Sequence, residues 1–228
     1  MNFMFFKISL AFFLKTWYHT VMKTTVREPQ QERSIEKKNK IIRAGYELFS
    51  EVGYYGTNTV EIAKRAGVST GIVYGYFADK RDILIVALEI YIDKVSAPII
   101  KLMDRVHAPV NINELAEKAV DAVIAAHRDN AKMHATLHSL AATDEAVNAR
   151  FIQLESHMTE EVSARLTDLG FGSENMLEKA HFCMNLVQSF AHEYVFDNHD
   201  YIDYDVLRSL VCSAMTELFS KKPANISK

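Results

Sequence analysis

From Ile41 to Leu218 apolar residues return at every third or fourth position, and no stretch alternates convincingly enough to form a strand. That periodicity constrains the fold more than any other feature. A 3.6-residue repeat turns one stripe of each segment inward, so such segments bury their stripes against one another as helices. Punctuation divides the run into nine of them. Ile41, Ile42, Leu48, Phe49 and Val52 mark the first, which ends at Gly53, where a left-handed residue is expected. Asn58-Thr59-Val60-Glu61 has the form of a capping box and starts a second helix at Thr59, closed by Gly67. Ser69 is expected to cap a third, very short helix reaching about Phe77. Asp79-Lys80-Arg81-Asp82 opens a long fourth helix, in which Pro98 should cause a kink because it lacks an N–H and crowds the preceding turn.

The remainder follows the same pattern. Asn111 caps a fifth helix, Asn130 to Leu140 forms a sixth, and Asp144 to Leu169 a seventh with Val147, Phe151, Leu154, Met158, Val162 and Leu166 inward. Ser173 is expected to cap an eighth, whose Met176, Ala180, Cys183, Val187, Phe190 and Tyr194 form a coiled-coil-like seam. A ninth covers about 204–219 with Leu207, Val211, Ala214 and Leu218 inward. The expected fold is all-α, with no internal repeat.

Composition bounds what such a chain does. At 49% hydrophobic and 24% charged it has the make-up of a folded globular protein, which excludes dominant disorder. The net charge of −3 is unevenly spread. Residues 22–84 carry 11 Lys/Arg against 8 Asp/Glu, whereas residues 85–228 carry 13 against 21. A basic head on an acidic body implies that the head alone meets a polyanion. Cys183 and Cys212 have no metal-type spacing and read as buried, reduced thiols of a cytoplasmic protein. Residues 1–21 are rich in Phe and lack acidic residues, but their uncharged run is far shorter than the roughly 20 residues that span a bilayer. They are read as lying upstream of a true start at Met22, with a membrane-surface helix, and hence a membrane-tethered sensor, as the alternative.

Gly67-Val68-Ser69-Thr70-Gly71 also fits the G-x-S-x-G pattern of a serine hydrolase. A nucleophile elbow needs a strand before the serine, and here an amphipathic helix precedes it. The helix–turn–helix reading accounts for every residue instead. Val73 and Phe77 point to the core, leaving Thr70, Gly71, Ile72, Tyr74, Gly75 and Tyr76 outside, a set suited to a DNA major groove.

Residues 41–84 resemble the DNA-binding domain of the TetR family of transcriptional regulators, through Ala44, Leu48-Phe49, Gly53-Tyr54, Thr57, Ile62-Ala63, Gly67-Val68-Ser69, Gly71, Tyr74, Tyr76-Phe77 and Lys80. The arm from Arg27 to Ser34 resembles the lead-in of one branch of that family. Gly45 departs from the usual Ala, at a cost of about 1 kcal/mol in helix propensity, and Gly75 departs from a usually larger residue. The resemblance implies a homodimer that binds a double-stranded DNA operator and is released by a small-molecule effector, most simply a repressor. It implies no catalysis and no cofactor. The chain then divides into an extension and arm (1–33), a helix-turn-helix domain (34–80) and an effector-binding and dimerisation domain (81–228), the dimer forming through helices near 174–196 and 204–219.

Candidate roles follow. Thr59, Tyr74 and Lys80 are candidates for phosphate contacts, while Thr70, Gly71 and Tyr76 are candidates for base edges and Ile72 for a thymine methyl; Ser69 and Gly75 lie within the same surface. For Tyr74, packing against the first helix is the competing role. Lys37, Lys38, Lys40, Arg43, Arg27 and Arg33 are either backbone contacts or solvated charge. In the body, His134 and His138 lie four apart on one face and, with Met158 and Phe182, are candidates for lining an effector pocket. Two imidazoles at that spacing can hold a metal, but no third ligand is apparent, so no metal is assigned. His127, His157, His181, Tyr194, Met133, Phe151 and Phe190 are weaker candidates of the same kind.

Overall fold

The computed structural model describes residues 32–172 and 174–220. The expectations for residues 1–21, Arg27 and Ser173 lie outside the described residues. Within them are nine helices and no strand: α1 Glu32–Val52, α2 Thr59–Ala66, α3 Thr70–Tyr74, α4 Lys80–Asp104, α5 Ile112–Asp129, α6 Ala131–Ala141, α7 Glu145–Asp168, α8 Met176–Phe196 and α9 Tyr204–Ser220. The chain is all-α, and none of these helices is long and apolar enough to cross a membrane.

Local chemistry sets the boundaries. Asn58 Oδ1 accepts from the backbone N–H groups of Val60 and Glu61, satisfying two orphan donors at the start of α2. At its other end Gly67 sits at φ +68, and the N–H of Val68 reaches back to Ala63 O, a Schellman closure that an L side chain would strain. Asn111 and Asp144 cap α5 and α7 in the same way as Asn58. Asp79 Oδ1 accepts from Asp82 N, and Asp82 Oδ2 accepts from Ala78 N, locking the entry to α4. That helix then runs unbroken through Pro98.

Two expectations need correction. Ser69 stands at the N-cap of α3, but its hydroxyl makes no capping bond; only its carbonyl is engaged, by Ile72 N and Val73 N. The start of so short a helix is exposed at Ser69 and Gly71, where backbone N–H groups are open to solvent and a side-chain cap is not required. Ala214 is exposed, because among the residues of α9 only Val211 is buried.

Two units are distinguished by their internal contacts. One holds the residues through Gly45 together with Thr57–Val86; the other holds Tyr46–Gly56 and the residues from Ala87 onward. The first buries Ile41, Ile62, Val73, Phe77, Ile83 and Leu84, with α2 packed on α3. In the second, α5 packs against α8 and α9, and α7 against α6 and α8. Val120 and Ile124 of α5, Val187, Phe190 and Ala191 of α8, and Val211 of α9 form one core cluster; Leu115, Leu166 and Met176 form another. The buried Arg150 guanidinium is neutralised by Glu89 and also donates to Gln153 Oε1 at 2.9 Å.

Candidate functional site

In the first unit the turn at Gly67 delivers α3 as a short helix with two distinct sides. Val73 and Phe77 are buried, as their spacing predicts, while Gly71, Tyr74 and Gly75 are exposed and Thr70 and Ile72 half-buried. Tyr74 does not lie in a core; its ring is 56% exposed and its hydroxyl lies 3.0 Å from Thr59 Oγ1. Two of the three residues assigned from sequence to phosphate contact are therefore neighbours, joined across α2 and α3. Tyr76 is turned the other way. It is half-buried, and its hydroxyl lies 2.6 Å from Ser34 Oγ at the start of α1. Lys80 donates to Thr57 O at 2.8 Å, which fixes its stem. Lys38 is buried, Lys40 pairs with Glu36, and Arg33, Lys37 and Arg43 are exposed.

The second unit holds a partly open pocket of about 850 Å³ lined by α4, α5, α6, α7, α8 and α9. Its walls are chiefly apolar, from Val95, Ile99, Leu115, Val123, Phe151 and Met158 among others, with Asn148, Glu155, Gln188 and Glu193 among the polar residues and a polar corner of histidines. His127, His134, His138 and His192 meet there. The His134 ring lies 4.6 Å from His127, 4.1 Å from His138 and 5.4 Å from His192, centroid to centroid. Tyr91 of α4 sets its hydroxyl 2.8 Å from His134 Nδ1, and His134 Nε2 lies 3.2 Å from His192 Nδ1. Burial, followed by the repulsion of the neighbouring imidazoles, holds His134 down to about 3 and keeps His127 and His138 below the ordinary histidine range. Burial also raises the Tyr91 phenol above its usual range. His127, His134, His138 and Tyr91 thus stand as neutral donors and acceptors, with the Asp197 carboxylate 3.3 Å from His192 Nε2 beside them.

Of the residues expected to line a pocket, His134, His138 and Met158 do so. Phe182 does not: it is 54% exposed on the outer side of α8. It directly precedes Cys183, a cavity-lining seam residue, and one step along a helix rotates a side chain by about 100°. Sequence reasoning missed His192 and Tyr91. Both were present as apolar-face neighbours, but their partners lie 58 and 43 residues away and no local pattern links them.

A helix–turn–helix unit joined to a helical unit with such a pocket defines a ligand-cavity transcriptional regulator. Residues 41–87 match the signature of the bacterial regulatory proteins of the tetR family. The HTH-type transcriptional regulator HbdR of Aromatoleum sp. (strain CIB) is 32% identical over 183 residues, which cover 80% of this chain and 78% of that protein. The fatty acid metabolism regulator protein of Bacillus subtilis (strain 168) is 47% identical over only 49 residues, 22% of this chain and 25% of that one. In fold, the chain is similar to a crystal structure described as a TetR-family regulator from Mesorhizobium loti MAFF303099 (TM-score 0.64, 19% identity, 82% of this chain and 97% of that chain). It is also similar to the multidrug binding protein EbrR complexed with imidazole (TM-score 0.60, 16% identity, 88% and 100%). The chain belongs to the TetR family of helix-turn-helix transcriptional regulators. It is a regulator and not an enzyme, and its G-x-S-x-G stretch is the turn between α2 and α3.

Proposed function

We propose that the chain is a cytoplasmic repressor that binds a near-palindromic operator as a homodimer and leaves it when a small molecule enters the cavity. The observation that carries this reading is the division of α3, whose Val73 is wholly buried while Gly71, Tyr74 and Gly75 stand in solvent. A helix that hides one side and presents hydroxyl, aromatic and glycine surface on the other is built to approach another surface closely. The basic balance of residues 22–84 makes a polyanion the fitting partner. On this reading Thr59, Tyr74 and Lys80 hold phosphates, and Thr70, Gly71 and Ile72 meet base edges, with Ser69 and Gly75 at the margin. Tyr76, tied to Ser34, orients α3 as well as lining the groove.

The dimer forms through α8 and α9. Leu177 and Phe182 on α8 and Val206 and Leu210 on α9 are 49–61% exposed, an apolar surface whose cost in water is removed when a second copy covers it. The effector is largely apolar, in keeping with a pocket of about 850 Å³ whose walls are chiefly apolar; pockets for drug-sized ligands span about 300–1,000 Å³. The test is selection of bound sequences from random duplex DNA, followed by affinity against salt. A two-fold consensus whose affinity falls steeply with salt is expected. Failure to enrich any sequence, in the absence and presence of candidate effectors, overturns the reading.

A further inference from the structure

We propose that His127, His134 and His192 form a binding site for one divalent transition-metal ion of the zinc type, with the fourth coordination position open to the cavity. One ring nitrogen from each of the three lies within 4.8 Å of the others. His134 Nε2 and His192 Nδ1 are 3.2 Å apart. Two nitrogens bound tetrahedrally at about 2.0–2.1 Å from zinc are separated by about 3.3 Å, so this pair already stands at the spacing that an ion would impose.

The remaining ring nitrogens make the stronger argument. A ligating histidine almost always has its other nitrogen held by a carboxylate, a carbonyl or water, which fixes the tautomer and aims the lone pair; a phenol oxygen in the place of that water serves the same end. All three meet that condition by three different means. His127 Nδ1 lies 2.9 Å from Val123 O, and since a carbonyl only accepts, that nitrogen carries the proton and leaves Nε2 to ligate. His134 Nδ1 faces the Tyr91 hydroxyl at 2.8 Å; in the tautomer that donates to the phenol oxygen, Nε2 presents its lone pair. His192 Nε2 lies 3.3 Å from Asp197 Oδ2, leaving Nδ1 toward His134.

Three imidazoles favour zinc, cobalt, nickel or copper over magnesium or calcium, which take oxygen ligands. The site stands at the polar corner of the cavity, so an ion there presents its open position to whatever fills the cavity. Metal binding is independent of the DNA-binding reading; only its use as part of the effector site rests on that reading. Tyr91 and Asp197 are positioning residues, acting through His134 and His192.

The experiment is titration of the metal-free full chain with Co²⁺, read by its visible absorption, and with Zn²⁺ against a chromophoric chelator, both without DNA. One ion per chain with the intense absorption of four-coordinate Co²⁺ is expected. His192→Ala, at a half-exposed position, should weaken affinity by at least about 100-fold. Tyr91→Phe and Asp197→Asn should weaken it by about 10- to 100-fold and shift the cobalt band, which a merely structural change leaves in place. His107→Ala, on an exposed residue, should change nothing. Weak binding that is insensitive to His192→Ala, Tyr91→Phe and Asp197→Asn overturns the proposal, as does absorption of the weak six-coordinate kind. Because no DNA is present, such a failure leaves the operator reading standing, and a failed DNA selection leaves the metal result standing.

Discussion

The Tyr91 hydroxyl and His134 Nδ1 meet at 2.8 Å inside the helical unit, although 43 residues separate them in the chain. Both side chains are at least 95% buried. Tyr91→Phe removes the hydroxyl and leaves a buried ring nitrogen unsatisfied, with an expected loss of about 1–3 kcal/mol. Thermal or urea unfolding of the metal-free chain measures it. A variant as stable as the parent would mean that the contact contributes nothing net.

The buried imidazoles make the fold acid-sensitive. Unfolded histidines titrate near 6.5, whereas burial holds His134 down to about 3 and lowers His127 and His138. Below pH 6.5 the unfolded chain therefore takes up protons that the native chain refuses, and stability falls as pH falls. A fully buried group of this kind contributes a slope of about 1.4 kcal/mol per pH unit. Urea midpoints in the presence of a chelator should be flat above pH 7.5 and drop steadily from pH 6.5 to 5. Replacing His134 with Gln should flatten part of that slope.

Arg150 is buried with Glu89 as its counter-charge. Glu89→Ala leaves a guanidinium without its carboxylate, and breaking buried pairs costs about 3–5 kcal/mol. Glu89 is itself 34% exposed, which reduces the expected loss to about 2–3 kcal/mol. The double change Glu89→Leu, Arg150→Met should recover most of it, because the desolvation cost disappears with the pair. Equal losses in the single and double variants would refute that account.

Asn58 and Ser69 occupy the same formal position on adjacent helices, yet only Asn58 caps with its side chain. Asn58→Ala should cost about 1 kcal/mol, and Ser69→Ala less than about 0.5. A DNA affinity lowered by Ser69→Ala at unchanged stability would then report a direct contact with DNA.

Leu210 is 61% exposed on α9. Leu210→Glu is expected to leave the helical content intact and shift the sedimentation of the chain from dimer to monomer, since a desolvated carboxylate opposite an apolar partner is costly. A parent chain that sediments as a monomer would remove the premise.

Local chemistry explains what was legible in the sequence. Asn58, Gly67, Asn111 and Asp144 act on backbone groups within three or four residues, so their caps are written in short patterns. Val73 and Phe77 follow from one helical turn. The failures arise where a side chain answers to something distant. Periodicity marks α8 as apolar on several sides, but does not say that Cys183 meets the cavity while Phe182 meets solvent. His134 and His138 were visible as an i, i+4 pair on α6; His192 of α8 reaches His134 from 58 residues away, and no spacing encodes that. Ser69 has the residue type of a cap but belongs to a helix too short and exposed to need one.

Asn130 is the junction between α5 and α6, three residues after His127 and four before His134. Its Nδ2 donates to Ala126 O, and its Oδ1 accepts from the Tyr46 hydroxyl of α1. The Tyr46 ring in turn carries Lys94 4.4 Å above it, and Lys132 donates to Glu51 O farther along α1. One amide thus fastens the turn between α5 and α6 to Tyr46 within a single unit, so Asn130→Ala undoes both attachments at once and loosens the turn that sets His127 and His134 apart.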